Sequence, residues 1–179
     1  NFLHVRNSQY AVNDVPSTFF LVLSVYFALR LAEDGRWRHY ILAGFIAGLA
    51  ASTKYNAGVA VVPIAVAHWS CHQKLHAAFR PPALARLGIS ALAALAGFVA
   101  GTPYSVLDFP LFRDGFLSQL NLGQTAWSGQ DLAPTVWQFF MGIVQGSGIA
   151  PVAFAALGCV LMVGHDRRRS AVLLSFPLV

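Results

Sequence analysis

From Tyr40 to Trp69 the chain is apolar except around Ser52 to Asn56, where Lys54 sits in the tetrapeptide TKYN. As one helix, these roughly 30 residues at about 1.5 Å each would run about 45 Å. A bilayer's hydrocarbon core is only about 30 Å thick. Two solutions remain: one long tilted helix with Lys54 near its middle, or two short helices forming a hairpin with Lys54 at the turn. The other basic residues decide between them. A hairpin puts Arg30, Arg36, Arg38, Lys74, Arg80, Arg86, Arg167, Arg168 and Arg169 on one side, and only Arg6, Lys54 and Arg113 on the other. That is nine of the chain's 12 lysines and arginines on a single face. A single crossing divides them four against seven, with Lys54 in mid-membrane, and the asymmetry largely disappears. Lysine and arginine collect on the cytoplasmic side of membrane proteins, so the hairpin is predicted, with its turn on the non-cytoplasmic face.

The rest of the chain fits the same frame. With 56% hydrophobic and 11% charged residues over 179 positions, and a mean hydropathy of +0.58, most of it must be solvated by lipid rather than water. Val15 to Leu31 reads as a first span, opened by Pro16 and closed by the charged turn Glu33 to Arg38. Leu87 to Thr102 follows the hairpin, then Val136 to Val163, then an apolar run from Ser170 onward. Val136 to Val163 is interrupted by GSGIAP, Gly146 to Pro151, which either kinks a helix or divides a tilted segment from an interfacial one. The expected fold is therefore all-α: a polytopic bundle of about five spans plus a truncated sixth, read as one partial domain over residues 1–179. Residues 1–14 would form an extracytoplasmic interfacial segment and residues 103–134 an extracytoplasmic loop. The chain starts without methionine and ends inside an apolar run, so it reads as an internal piece of a longer protein. Gly44 and Gly48, Gly97 and Gly101, and Gly142 and Gly146 recur at four-residue spacing, as on closely packed helices in lipid.

Several function classes lack their signatures. The net charge of +5 and pI near 9.7 do not point to nucleic acid, because the basic residues lie in short clusters between apolar runs rather than along one face. Cys71 and Cys159 give no disulfide framework and are expected to be free thiols. There is no GxxxxGK phosphate loop, HExxH or paired CxxC motif. His72 and His76 have helical spacing but no further clear ligand nearby, so the loop that carries them is read as a topological or headgroup-facing segment.

The polar stretch HVRNSQYAVNDVP, His4 to Pro16, places Asp14 immediately before the first span. Asn13 and Asp14 can cap that helix, and the same carboxylate can accept a proton at the membrane interface. His4 and Arg6 can occupy an interfacial helix and contact phosphate or headgroups. Lys54 has no acid near it in sequence, and near lipid an ammonium group needs an anion or water. It serves either as a snorkelling anchor or to neutralise a phosphate during bond cleavage, and Tyr55 and Asn56 can support either role.

Three segments, HVRNSQYAVNDVPSTFF, YILAGFIAGLAASTKYNAG and GFVAGTPYSVLD, resemble in order and spacing the GT-C membrane glycosyltransferases. The relevant branch is the one related to protein O-mannosyltransferases and bacterial lipid A aminoarabinose transferases. The resemblance implies transfer of a sugar from a polyprenyl-phosphate donor, at an extracytoplasmic cavity, to a protein, lipid or glycan acceptor. It makes Asp14 the second acidic position of the active region and Lys54 a donor-phosphate contact, with Arg6, His4, Tyr55 and Tyr104 as further substrate contacts. The family's first acidic loop would lie before Asn1, and any carboxyl-terminal acceptor region beyond Val179. Asp108, Asn121, Gln124, Trp127 and Gln130 are candidate sugar contacts in the same loop as Tyr104. No cofactor is assigned, and a requirement for a divalent metal stays open. The partners implied are the lipid-linked donor, an unidentified acceptor and membrane lipid. The alanine- and arginine-rich composition makes a bacterial inner membrane the provisional setting. A multi-span transporter or lipid flippase, with Asp14 and Lys54 as gating charges, and a noncatalytic assembly protein with glycine-lined helices are the alternative readings.

Overall fold

The computed structural model describes residues 13–72, 78–127 and 132–175, and among them every regular element is helical. Helix α1, Asp14–Asp34, starts with Asp14 in its first turn, where a carboxylate complements the helix dipole. The Asn13 side chain does not cap the helix as the sequence suggested; its backbone carbonyl accepts the Ser17 N–H instead. The helix ends at Gly35, whose φ of 62° lets its N–H donate to the Leu31 carbonyl. Helix α2, Trp37–Thr53, returns antiparallel to α1, and the buried Ser24 hydroxyl ties the two by donating to the Ala43 carbonyl at 3.0 Å.

At Lys54 the chain breaks. The Ser52 and Thr53 hydroxyls both donate to the Leu49 carbonyl, and Lys54 turns extended at φ −151°. A 3-10 helix, Tyr55–Ala60, then leads into α3, Val61–His72. Helix α3 runs back along α1 and α2, because its far end meets their turn. There Tyr40 donates its hydroxyl hydrogen to His68 Nδ1 at 2.7 Å, and His68 Nε2 bonds the Ala78 carbonyl at 3.1 Å. A carbonyl can only accept, so the His68 proton is on Nε2 and Nδ1 is the acceptor. The reversal at Lys54 is thus that of a hairpin rather than a single long helix.

Helix α4, Pro81–Gly101, opens on two prolines suited to a first turn and lies parallel to α2. Glycines make that approach close: a Cβ at Gly44, Gly48 or Gly97 would collide with the backbone at Ser90, Ala94 or Phe45, and one at Gly101 with the Ser52 hydroxyl. Gly142, by contrast, faces open space among the described residues, so its place in a small-residue motif carries no packing here.

The segment expected to be a loop, residues 103–134, is largely helical. A short turn of helix α5, Tyr104–Leu107, precedes α6, Phe109–Trp127, and α7, Leu132–Ser147, begins within it too. Proline at the second position of α6 is compatible with a helix start, and Asp108 Oδ1 accepts the Leu111 N–H there. What looked like helix breakers therefore opens a helix. Gly148, at φ 87°, separates α7 from α8, Ile149–His165, with a bend of 113° at the predicted interruption. Helix α9, Arg167–Ser175, docks back on α1 and α3 through the fully buried Val172 and an Arg169–Glu33 ion pair at 2.6 Å.

Among the described residues, α1 and α4 are each long and apolar enough to cross a membrane, and the bent pair α7–α8 passes only if taken together. The 17 residues of α2 span about 25 Å, somewhat less than a full hydrocarbon core. The arginines at positions 36, 86 and 169 gather at the α1–α2 turn, while Asp14, Lys54 and Arg113 lie at the opposite end.

Candidate functional site

The start of α1 and the end of α2 meet at that opposite end. The Asn13 side-chain amide donates to the Thr53 carbonyl at 3.0 Å, satisfying one of the carbonyls left free at a helix C-terminus. This tie sets Asp14 against Lys54, and the ammonium donates to the carboxylate at 2.5 Å. The side chains are 46% and 42% exposed respectively, so water still reaches both. Asp14 is thus the anion that Lys54 lacks in its own sequence neighbourhood.

Lys54 lines a cleft of about 1010 Å³ together with Asn13, Ser52, Thr53, Tyr55 and Asn56 on one side and Gly115, Phe116, Gln119 and Leu120 of α6 on the other. Asp14 stands at its edge and holds Lys54 from outside the lining. Helix α6 is fixed over the cleft by aromatic contacts. The Tyr55 ring meets Phe116 edge-on at 5.2 Å and Phe112 at 6.4 Å, and Phe98 of α4 packs against Phe112 at 6.0 Å. Such edge-to-face pairs each contribute about 0.5–1.5 kcal/mol beyond simple burial.

The structure therefore brings together Asp14, Lys54, Tyr55 and Asn56 of the residues singled out in the sequence. Tyr104 is exposed on α5 and does not line the cleft among the described residues. Asp108 serves the start of α6. His4, Arg6 and Gln130 lie outside the described residues. Gln119, Phe116 and Ser52 were missed, although Phe112, Phe116 and Gln119 share the i, i+4, i+7 spacing of one helix face. Among the described residues no three His, Cys, Asp or Glu side chains converge to hold a metal ion.

At this end of an apolar helical bundle an ammonium–carboxylate pair thus stands beside a polar cleft. Residues 3–100, over half of the chain, match the family described as dolichyl-phosphate-mannose-protein mannosyltransferase. The chain belongs to that family, and it is an integral membrane protein of glycosyltransferase type. Neither the comparison with curated proteins nor that with solved structures gave a match.

Proposed function

We propose that the chain forms part of a GT-C-type glycosyltransferase that moves a sugar from a polyprenyl-phosphate donor to a protein, lipid or glycan acceptor, and that the cleft beside Lys54 receives the donor's head. The observation that carries this reading is the Asp14–Lys54 pair at the cleft. It supplies one cation for a phosphate and one carboxylate for a proton, both at the end of the bundle with fewer basic residues. By the charge rule that end is extracytoplasmic, with α1, the two hairpin arms, α4 and the α7–α8 pair as the five crossings. The acceptor's hydroxyl or amine gives its proton to the Asp14 carboxylate as its oxygen or nitrogen attacks the anomeric carbon. The bond from that carbon to the phosphate oxygen breaks, and polyprenyl phosphate leaves with the electron pair. Lys54 stabilises the charge that develops there. His4 and Arg6, which precede Asp14 in sequence, complete the proposed set of donor contacts.

The test is transfer from a labelled polyprenyl-phosphate sugar by the full-length protein in proteoliposomes, wild type against folded Asp14→Asn and Lys54→Met. Loss of turnover in both supports the reading. Absence of turnover in folded wild type across several sugars and acceptors rejects it in favour of transport. Turnover unchanged in both variants keeps the enzyme class and removes these two residues from the site.

A further inference from the structure

We infer that Gln119 of α6 and Asn56 of the 3-10 helix form the subsite for the sugar itself, a neutral polyhydroxylated ring, next to the phosphate position at Lys54. This rests on the donor reading above and divides the cleft by chemistry. Among the described residues that line it, Lys54 is the sole charged group; the other polar groups are hydroxyls and amides. A single cation suits the phosphate, and a neutral polar remainder suits what is attached to it. Neither the Gln119 nor the Asn56 amide has a hydrogen-bond partner among the described residues, although both line the cleft. Each offers two donors and a carbonyl acceptor from one planar group, a combination that can engage two neighbouring ring hydroxyls at once.

The placement is built into the fold. Gln119 follows Phe116 by three residues and Phe112 by seven, so the aromatic contacts that anchor α6 on Tyr55 also fix the helix face carrying the amide. Asn56 follows Lys54 by two residues across Tyr55. The half-buried Phe116 ring and the Tyr55 ring, which meet each other and line the same cleft as the amides, supply the apolar surface on which the C–H face of a sugar can rest.

Binding of two probes to the full-length protein in nanodiscs tests this: a short-chain polyprenyl phosphate, and its mannosyl and glucosyl phosphodiesters. Gln119→Met and Asn56→Leu are each expected to weaken the better-bound sugar diester about tenfold, the scale of one or two lost hydrogen bonds, and to leave polyprenyl phosphate within about twofold. Lys54→Met is expected to weaken both probes. Equal weakening of both probes by Gln119→Met would mean a displaced α6 rather than a lost sugar contact and would overturn the inference. So would a diester that both amide variants bind as wild type does. Wild type that binds neither probe would instead overturn the donor reading on which the subsite rests.

Discussion

Replacing Asp14 with asparagine separates a structural ion pair from a functional one, because the geometry bounds the structural share. With side chains 46% and 42% exposed, the pair belongs with solvent-screened bridges, worth about 0.2–1 kcal/mol despite the 2.5 Å contact. The acid in the first turn of α1 adds about 0.3–1 kcal/mol with the helix dipole, so Asp14→Asn should cost less than about 2 kcal/mol of stability. Lys54→Met should cost a similar amount, since Lys54 sits at the C-terminal end of α2, where a cation is favoured. A cation aimed at a leaving phosphate in a partly desolvated cleft is worth much more in the transition state, about 10²–10³ in turnover, or about 2.7–4 kcal/mol. The assay is kcat and KM in proteoliposomes with thermal unfolding measured on the same preparations. We expect turnover to fall at least about a hundredfold in each variant while stability moves little. The double variant should lose far less than the product of the two, as groups serving one step do. A stability loss above about 3 kcal/mol, with transfer per folded molecule within threefold of wild type, would refute the reasoning and make the pair a clasp between α1 and α2.

Three further outcomes follow from the rest of the bundle. Tyr40→Phe leaves the buried Nδ1 of His68 without its donor and should destabilise the protein by about 1–3 kcal/mol in thermal unfolding; transfer per folded molecule should be unchanged, since this contact lies at the end opposite the cleft. Gly48→Ala should cost about 1–3 kcal/mol or more because its Cβ would meet the α4 backbone at Ala94, whereas Gly142→Ala, in open space within a helix, should be neutral or stabilising by up to about 1 kcal/mol. Single cysteines at Asp114 and Arg168, in a background with Cys71 and Cys159 replaced by serine, should be labelled by an impermeant maleimide from opposite faces of sealed vesicles; labelling from the same face would overturn the charge-based topology.

The reversal at Lys54 was legible because a 30-residue apolar stretch exceeds the bilayer and because the basic residues vote on which side each segment ends. The glycine faces of α2 and α4 were legible from spacing, since close approach in lipid selects small residues. Gly142 shows the limit of that rule: spacing says a face is small, not that another helix lies against it. Helix α6 was hidden for a different reason. Its apolar residues are diluted by Arg113, Asp114, Gln119 and Asn121, so it lacks the hydropathy of a span, and Pro110 and Gly115 resemble loop punctuation. The aromatic face that makes it a helix acquires meaning only once Tyr55 and Phe98 are known to lie beneath it.

The site itself is a consequence of helix direction. Helix α2 runs towards the cleft and α3 away from it, so α4, whose two prolines open it at the far end, must run back in parallel with α2. That parallel packing delivers Gly101 to Ser52, and with it α5 and α6, which follow Thr102, to the end where α1 begins. Asp14, Lys54 and Gln119 therefore meet from three widely separated stretches because the hairpin is two short helices and not one long one. Had Lys54 sat within a continuous helix, α4 would run the other way, and the amphipathic helix with its amides would stand on the opposite face from Asp14, the acid that pairs with the lysine. The carboxylate, the ammonium and the amide face are brought together by one reversal of the chain, and the residue at that reversal is the lysine that lines the cleft.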